Sequence, residues 1–363
     1  MSLGHYALLS TFILICSVSQ LPAGARSSDL TSVFYTMSTP DHVQFVDDGQ
    51  EIHLSLDQKN ASGFESYDGF LFGHFNMRIK LVPGDSAGTV TTYYFSSLGD
   101  RHDELDFEFL GNSSGEPVNL QTNVFSNGVG GREQRIFLWF DPTTDFHNYT
   151  LLWNRRQVVF YVDGVPIRVF PNIEQEQGVP YLHNQSMKAY ATIWDGDSWA
   201  TQGGRVKIDW THAPFVASYR DFTADACTQT TTMAATECAS SKWWDQMAYQ
   251  GLDGAQLDKL KWVQSNLTVY DYCTDVGRYN VTPPECVYAV PLSTAEVSPS
   301  PSPSSTSLTP TMPSSPSSSI ASPNTSSLGP SGSPSSMASP SGQMLVSSTL
   351  SVVFLSLIFI AIL

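Results

Sequence analysis

The run HDELDFEFLG, His102–Gly111, sets four acidic residues within six positions, Asp103 to Glu108, and threads Leu105, Phe107 and Phe109 between them. Disordered acidic tails do not carry large apolar residues at every second place. On a β-strand, successive side chains point to opposite faces. His102, Glu104, Asp106, Glu108 and Leu110 then share one face, while Leu105, Phe107 and Phe109 take the other. The run reads as a sandwich strand that buries its apolar face and displays three carboxylates in a row on the opposite one.

Outward from this strand, about Ser28 to Ala224 has an all-β texture. EIHLSL, TVTTYYF and GRVKIDW alternate, and Gly, Pro, Asn and Asp break the runs. VVFYVDGVPIRVF places two strand-like runs around Asp163-Gly164, a two-residue hairpin signal. The expectation over 28–224 is a large β-sandwich of two stacked sheets. Over 225–290 the texture changes. DGAQLDKLKWVQSN offers an N-cap at Asp253 and Leu257, Leu260 and Val263 at helical spacing, which predicts one helix.

Beyond it, 297–343 is Ser, Pro and Thr with little else, a stalk that cannot bury a core. Residues 344–363 are an apolar, Ser-interrupted tail. With the small residues around Ser333 to Ser339, this reads as a GPI-attachment signal rather than a membrane span. The first 25 residues hold an apolar core, Tyr6 to Val18, and a small-residue exit at Ala23-Gly24-Ala25, the pattern of a secretory signal peptide.

The cysteines agree with that compartment. Cys16 leaves with the leader, and Cys227, Cys238, Cys273 and Cys286 remain as an even set. Three pairings are open, and local closure favours Cys227–Cys238 with Cys273–Cys286; neither pair has the tight spacing of a zinc knuckle. Sequons stand at Asn60, Asn112, Asn148, Asn184, Asn266, Asn280 and Asn324. The net charge of −16 lies entirely at or before Glu296. It argues against a nucleic-acid partner, which calls for a basic footprint, and is compatible with a neutral substrate.

The carboxylate face carries the chemistry. Residues two apart on a strand are about 6–7 Å apart along the chain. Clustered like charges raise one another's pKa, so one carboxyl can stay protonated while another remains ionised. No Lys or Arg lies between Arg101 and Arg132 to neutralise them locally. A pair of acting carboxyls about 5–5.5 Å apart would suit retaining glycoside hydrolysis, and a wider gap inversion; spacing alone leaves the two open. It also leaves open a solvated acidic strand or a calcium site, although calcium loops place their ligands on Gly-containing turns.

At this strand the sequence resembles the xyloglucan endotransglucosylase/hydrolases of glycoside hydrolase family 16. The likeness continues through LQTNVFSNGVGGREQRIFLWFDPTTDFHNYTLLWN, VVFYVDGVPIRVF, IWDGDSWATQGGRVKIDWTHAPFVASYRDF and YDYCTDVGRYNVTPPEC, from about Phe34 to Val287. The resemblance implies a concanavalin-like β-jelly-roll with an open cleft and a small disulfide-stapled C-terminal extension containing a helix. It implies Glu104 as nucleophile, Glu108 as general acid and then base, and Asp106 as hydrogen-bond partner of the nucleophile.

As cleft residues the resemblance implies Gln121, Thr122 and Asn123; Gly131, Arg132 and Glu133; Ser198, Trp199 and Gly203; and Arg278. It implies a glycan at Asn112. Trp194 and Trp199, in a loop-like context, are expected to stack on sugar rings rather than pack in the core. Asp197-Ser198 departs from the family's two acids, and Leu182 and Ser186 stand where prolines are usual, so that loop is expected to be more mobile. No metal or cofactor is implied. The implied activity is transfer or hydrolysis of xyloglucan-type β-1,4-glucan by a monomeric cell-wall enzyme; a non-catalytic wall-polysaccharide binder is the reading of another class. The stalk and tail are unusual for this family and resemble the anchored chitin–glucan crosslinking transglycosylases of fungal walls.

Overall fold

The computed structural model describes residues 29–37, 40–228 and 235–288, together with residues 290 and 293. The leader over 1–25, Cys16, the stalk over 297–343, Asn324 and the tail over 344–363 lie outside the described residues. Fourteen strands are described: β1 Phe34–Thr36, β2 Val43–Val46, β3 Glu51–Leu56, β4 Ser62–Lys80, β5 Thr89–Ser96, β6 Glu104–Leu110, β7 Asn119–Phe125, β8 Gln134–Phe137, β9 His147–Trp153, β10 Gln157–Val162, β11 Val165–Pro171, β12 Met187–Asp195, β13 Phe215–Thr228 and β14 Thr268–Asp271.

These strands form an antiparallel sandwich. One layer runs β14-β8-β7-β6-β5-β12-β4; the other runs from β4 through β9 and β10 to β11, with β13, β3 and β2 joined beside it. The 19-residue β4 belongs to both. Its first half pairs with β12 and its second with β9 and β13. Between the halves, Phe72 takes a left-handed φ of 69°, which lets the strand turn from one layer into the other.

The apolar face of β6 makes the interior. Phe107 meets Phe160 edge-on at 5.2 Å, and Phe109 meets Tyr149 at 4.7 Å. Leu105 and Phe107 are fully buried and Phe109 nearly so. Burial of each such ring contributes roughly 1.5–3 kcal/mol, so the register of β6 is firmly specified. A slip of one residue would turn the carboxylates inward.

The hairpin forms where Asp163-Gly164 signals it, with Val162 opposite Val165 and both turn residues at positive φ, 47° and 71°. The helix Gly254–Asn266 starts at Asp253 with a complete capping box to Gln256, and Leu260 and Val263 are buried. Both expected disulfides, Cys227–Cys238 and Cys273–Cys286, are present.

Two expectations change. GRVKIDW is not a strand: Ile208 donates its N–H to the Asp197 side chain at 2.8 Å and Lys207 pairs with Asp197, so a loop contact replaces a ladder. The extension is also more than a packed appendage. β13 crosses the expected boundary at residue 224 as far as Thr228, and β14 adds to the carboxylate-bearing layer beside β8.

Candidate active site

Strand pairing spreads the outer face of β6 into rows that cross the layer. Glu108 stands in register with Thr92 on β5 and Gln121 on β7, and Gln121 with Arg135 on β8. Asp106 is in register with Tyr94 and Asn123, and Glu104 with Ser96 and Phe125. On the far side of β5, Tyr190 of β12 stacks on Tyr94 at 5.0 Å. Alternation thus places the three carboxyls side by side on a floor of aromatic and hydroxyl side chains. The fourth acid of the run, Asp103, does not join them; it accepts a hydrogen bond from the Asn127 backbone at 2.8 Å.

Asp106 is buried, and Glu104 and Glu108 are half-buried. Desolvation is the largest influence on all three and pushes each pKa upward. Asp106 rises well above the usual carboxylate range, driven next by the charges of Glu104 and Glu108. It shares a hydrogen bond with Glu104 that favours the protonated Asp106 and the ionised Glu104. His102 gives the largest pull toward the anion, ahead of hydrogen bonds from Ser96 and Asp106: its Nε2 lies 3.9 Å from Glu104 Oε2, and its Nδ1 donates to the Gly99 carbonyl at 2.7 Å. Burial pushes Glu108 up to about 7 despite a hydrogen bond of 2.5 Å donated by Gln121 Nε2. One strand thus carries three carboxyls of raised proton affinity, with a hydrogen bond that favours the proton on Asp106 over Glu104 and with Glu108 near neutrality, an uneven sharing of protons that suits acid–base catalysis.

The other expected site residues separate into groups. Gln121 and Asn123 share the carboxylate face; Asn123 Oδ1 accepts from the backbones of Arg132 and Val124. Thr122 does not share it. It stands opposite Phe107 on the core face, and Arg168 Nη1 donates to its carbonyl at 2.9 Å and its hydroxyl at 3.0 Å. A sugar-binding role for Thr122 does not fit that orientation.

Arg132 is likewise buried. Its Nε donates to Glu285 at 2.6 Å, and its Nη1 reaches the carbonyls of Val124 and Val129. It fastens the extension to β7 rather than offering a free guanidinium to a cleft. Glu133 accepts from Arg278 Nη1 at 2.6 Å. Gly131, at φ 81°, accepts from the Tyr279 hydroxyl at 2.6 Å, and a Cβ there would meet that hydroxyl at 2.8 Å.

Ser198, Trp199 and Gly203 lie on a loop pinned to the far end of β6. The Thr201 hydroxyl donates to the Gly111 carbonyl at 2.6 Å and accepts from the Gly88 N–H at 2.7 Å. Trp194 and Trp199, 6.1 Å apart, are half-buried over Val90, Leu110 and Ala200, so each ring is partly packed and partly open. Leu182, where more mobility is expected, is fully buried, and its carbonyl accepts from Trp153 at 2.9 Å. Asn112 directly follows the strand and its turn, with Nδ2 donating to the Pro117 carbonyl. Among the described residues, no group of three or more His, Cys, Asp or Glu is disposed to hold a metal ion.

Sequence reasoning passed over Arg135 and Glu285. Alternation in REQRIF puts Arg135 on the same face as Glu133, which was a usable signal for the first. The second needed the contact between the extension and β7, which no local pattern shows.

The chain matches two family models: glycosyl hydrolases family 16 over residues 30–212, and the xyloglucan endo-transglycosylase C-terminus over residues 238–286. It is 54% identical over 246 residues to a Phaseolus angularis protein described as xyloglucan endotransglucosylase/hydrolase protein A, covering 68% of this chain and 84% of that one. It is 50% identical over 288 residues to xyloglucan endotransglucosylase protein 6 of Diospyros kaki, covering 77% of this chain and 95% of the relative. Among solved structures, a Bacillus licheniformis beta-glucanase matches at 21% identity and a TM-score of 0.42, covering 53% of this chain and 92% of that one.

Proposed function

The chain belongs to the xyloglucan endotransglucosylase/hydrolase branch of glycosyl hydrolases family 16, and from that premise we propose that it cuts the β-1,4-glucan backbone of xyloglucan and passes the cut chain to another saccharide. The observation that carries this is the carboxylate row of β6, with Glu108 near neutrality and Asp106 sharing a proton with Glu104. Glu104 attacks the anomeric carbon while protonated Glu108 gives its proton to the departing glycosidic oxygen. Asp106 takes up more of the shared proton as the Glu104 charge is consumed. In the second half, ionised Glu108 removes the proton of the incoming hydroxyl, and the glycosyl–Glu104 bond breaks with net retention. Gln121 and Asn123 beside the acids, and Trp194 and Trp199 at the Leu110 end of β6, are the proposed sugar contacts.

Transfer is favoured over hydrolysis because β14 widens the layer beyond β8, which supports a longer seat for the acceptor chain. The secretory leader over 1–25, the Ser/Pro/Thr-rich stretch over 297–343 and the apolar tail over 344–363 support a protein held at the outer membrane face within the wall by a GPI anchor; we also propose that it is a monomer with Asn112 glycosylated. Phospholipase release of the protein from membranes tests the anchor, and retention on the membrane with an intact tail contradicts it.

The activity test uses the secreted chain with xyloglucan and a labelled oligosaccharide acceptor. Incorporation that disappears in Glu104→Gln and Glu108→Gln is the expected result. New reducing ends without incorporation make it a hydrolase, and binding without turnover of any β-glucan overturns the enzymatic reading.

A further inference from the structure

Glu108 must give a proton to one oxygen atom and later take one back, yet its two carboxyl oxygens are held differently. Oε2 accepts from Gln121 Nε2 at 2.5 Å, and Gln121 Oε1 in turn accepts from Arg135 Nε at 2.6 Å. A guanidinium can only donate hydrogen bonds, whereas a glutamine amide has one accepting and one donating end. Turning the Gln121 amide over would press its NH2 against the Arg135 N–H and aim its carbonyl at the Glu108 carboxylate. The first contact would be repulsive in either protonation state of Glu108, and the second whenever Glu108 is ionised. The Arg135 guanidinium is itself steadied over the Tyr270 ring, 5.7 Å from the centroid.

We propose that Arg135 is a positioning residue that assigns the proton of Glu108 to a single oxygen: by gripping the Gln121 carbonyl it keeps the amide N–H on Oε2, leaving Oε1 to carry the proton. This rests on the catalytic role given to Glu108 above. In the first half-reaction the Oε1 proton passes to the glycosidic oxygen as its bond to the sugar breaks. In the second, Oε1 takes the proton of the attacking hydroxyl. Oε2 stays an acceptor throughout, so the carboxyl need not rotate between the two steps.

The groups around Glu108 are consistent with a tuned site. Glu104 and Asp106 lie on its own strand, Thr92 and Tyr94 on β5, Gln121 and Asn123 on β7, and Arg135 on β8. Tyr270 lies on β14, and Glu133 with its partner Arg278 at the rim. Burial, Glu104 and Glu133 raise the Glu108 pKa, while Gln121 and Arg135 lower it. Losing Arg135 would remove one lowering influence directly and loosen the other.

The test reads Glu108 without requiring turnover. Carboxyl carbons of 13C-labelled glutamate are titrated by NMR, and Glu108 is assigned by its absence in Glu108→Gln. Arg135→Met is expected to raise the Glu108 midpoint by roughly half to one pH unit, and Arg135→Lys, which keeps a donor and a charge, by less. In a Gln121→Leu background, Arg135→Met should still raise the midpoint through lost charge alone, but by clearly less than with Gln121 present. An unmoved midpoint in Arg135→Met overturns the proposal, and so does an equal shift in the Gln121→Leu background, which would mean simple charge repulsion without the amide. If Arg135→Met does not fold, Gln121→Leu alone must raise the midpoint, and its failure to do so is equally fatal. Wild-type protein that titrates as expected but turns over no β-glucan would sink the proposed reaction and leave the positioning intact.

Discussion

The middle of the carboxylate-bearing layer and its seam with the extension treat buried acids in opposite ways. On β6, Glu104, Asp106 and Glu108 stand beside one another, and burial raises the pKa of each. Where the extension meets the sheet, Glu285 on the short helix Pro284–Val287 also has a buried side chain but is met by Arg132 at 2.6 Å, and at the rim Glu133 is met by Arg278 at 2.6 Å. A buried carboxylate without a cation is a standing cost, whereas a matched one is a clamp. Burial alone therefore does not mark the proposed catalytic acids. What sets them apart is that burial outweighs the nearby arginines and each proton affinity stays raised.

The comparison breaks most visibly at Glu104. Glu104→Gln should lower transfer by at least about 10⁴-fold, since a glutamine cannot form the glycosyl ester, while the melting temperature holds or rises. Activity assays beside thermal melts check this, and near-wild-type turnover would return β6 to a merely acidic strand. The opposite pattern is expected at the clamp. Glu285→Gln leaves the Arg132 guanidinium buried without its partner and should cost roughly 3–5 kcal/mol, read from denaturant melts. A loss of activity without a loss of stability would mean that Arg132 meets substrate after all.

Glu108 sharpens the contrast through pH. Its folded pKa, about 7, lies above the usual carboxylate value. The stability linked to its protonated form is therefore fully present below the unfolded pKa and is lost as pH rises toward and through 7. Glu108→Gln should lower activity by about 10²–10⁴-fold yet gain on the order of 2 kcal/mol relative to wild type at pH 7.5, and little at pH 4. For the wild type, kcat/KM should fall as pH rises past about 7, because the first half-reaction uses protonated Glu108. Melts of both proteins at the two pH values check the sign; an equal difference at both would refute the linkage.

Much of this was legible because β6 carries two signals in the same residues. Period-2 alternation in HDELDFEFLG marked the buried face by its aromatics and the opposite face by its acids. Cysteine spacing and the Asp253 cap were similarly local and held. GRVKIDW misled because alternation measures amphipathicity, not pairing, and here Asp197 captured the Ile208 N–H first. Thr122 and Arg132 show a different limit. Both sit in stretches that resemble the family's cleft, yet side-chain parity on β7 and the reach of Glu285 from 153 residues away send them to the core and the clamp. Parity could have been read from QTN once β7 was taken as a strand. A partner supplied by the extension could not.

The smallest expected effect tests whether a matched acid still acts at a distance. Glu133 raises the Glu108 pKa through its charge although Arg278 holds it. The Arg278 side chain is 36% exposed, so solvent screens the pair and its contribution to stability is below about 1 kcal/mol. Removing only the acid, in Glu133→Gln, should move the alkaline limb of kcat/KM down by roughly a few tenths of a pH unit. Removing only the cation, in Arg278→Met, exposes the Glu133 charge and should move the limb up by a similar amount. Opposite shifts from the two halves of one ion pair, with melting temperatures nearly unchanged, are difficult to obtain from a structural defect. If both variants move the limb the same way, or raise KM without touching it, the rim pair meets the acceptor sugar directly and its influence on Glu108 is incidental.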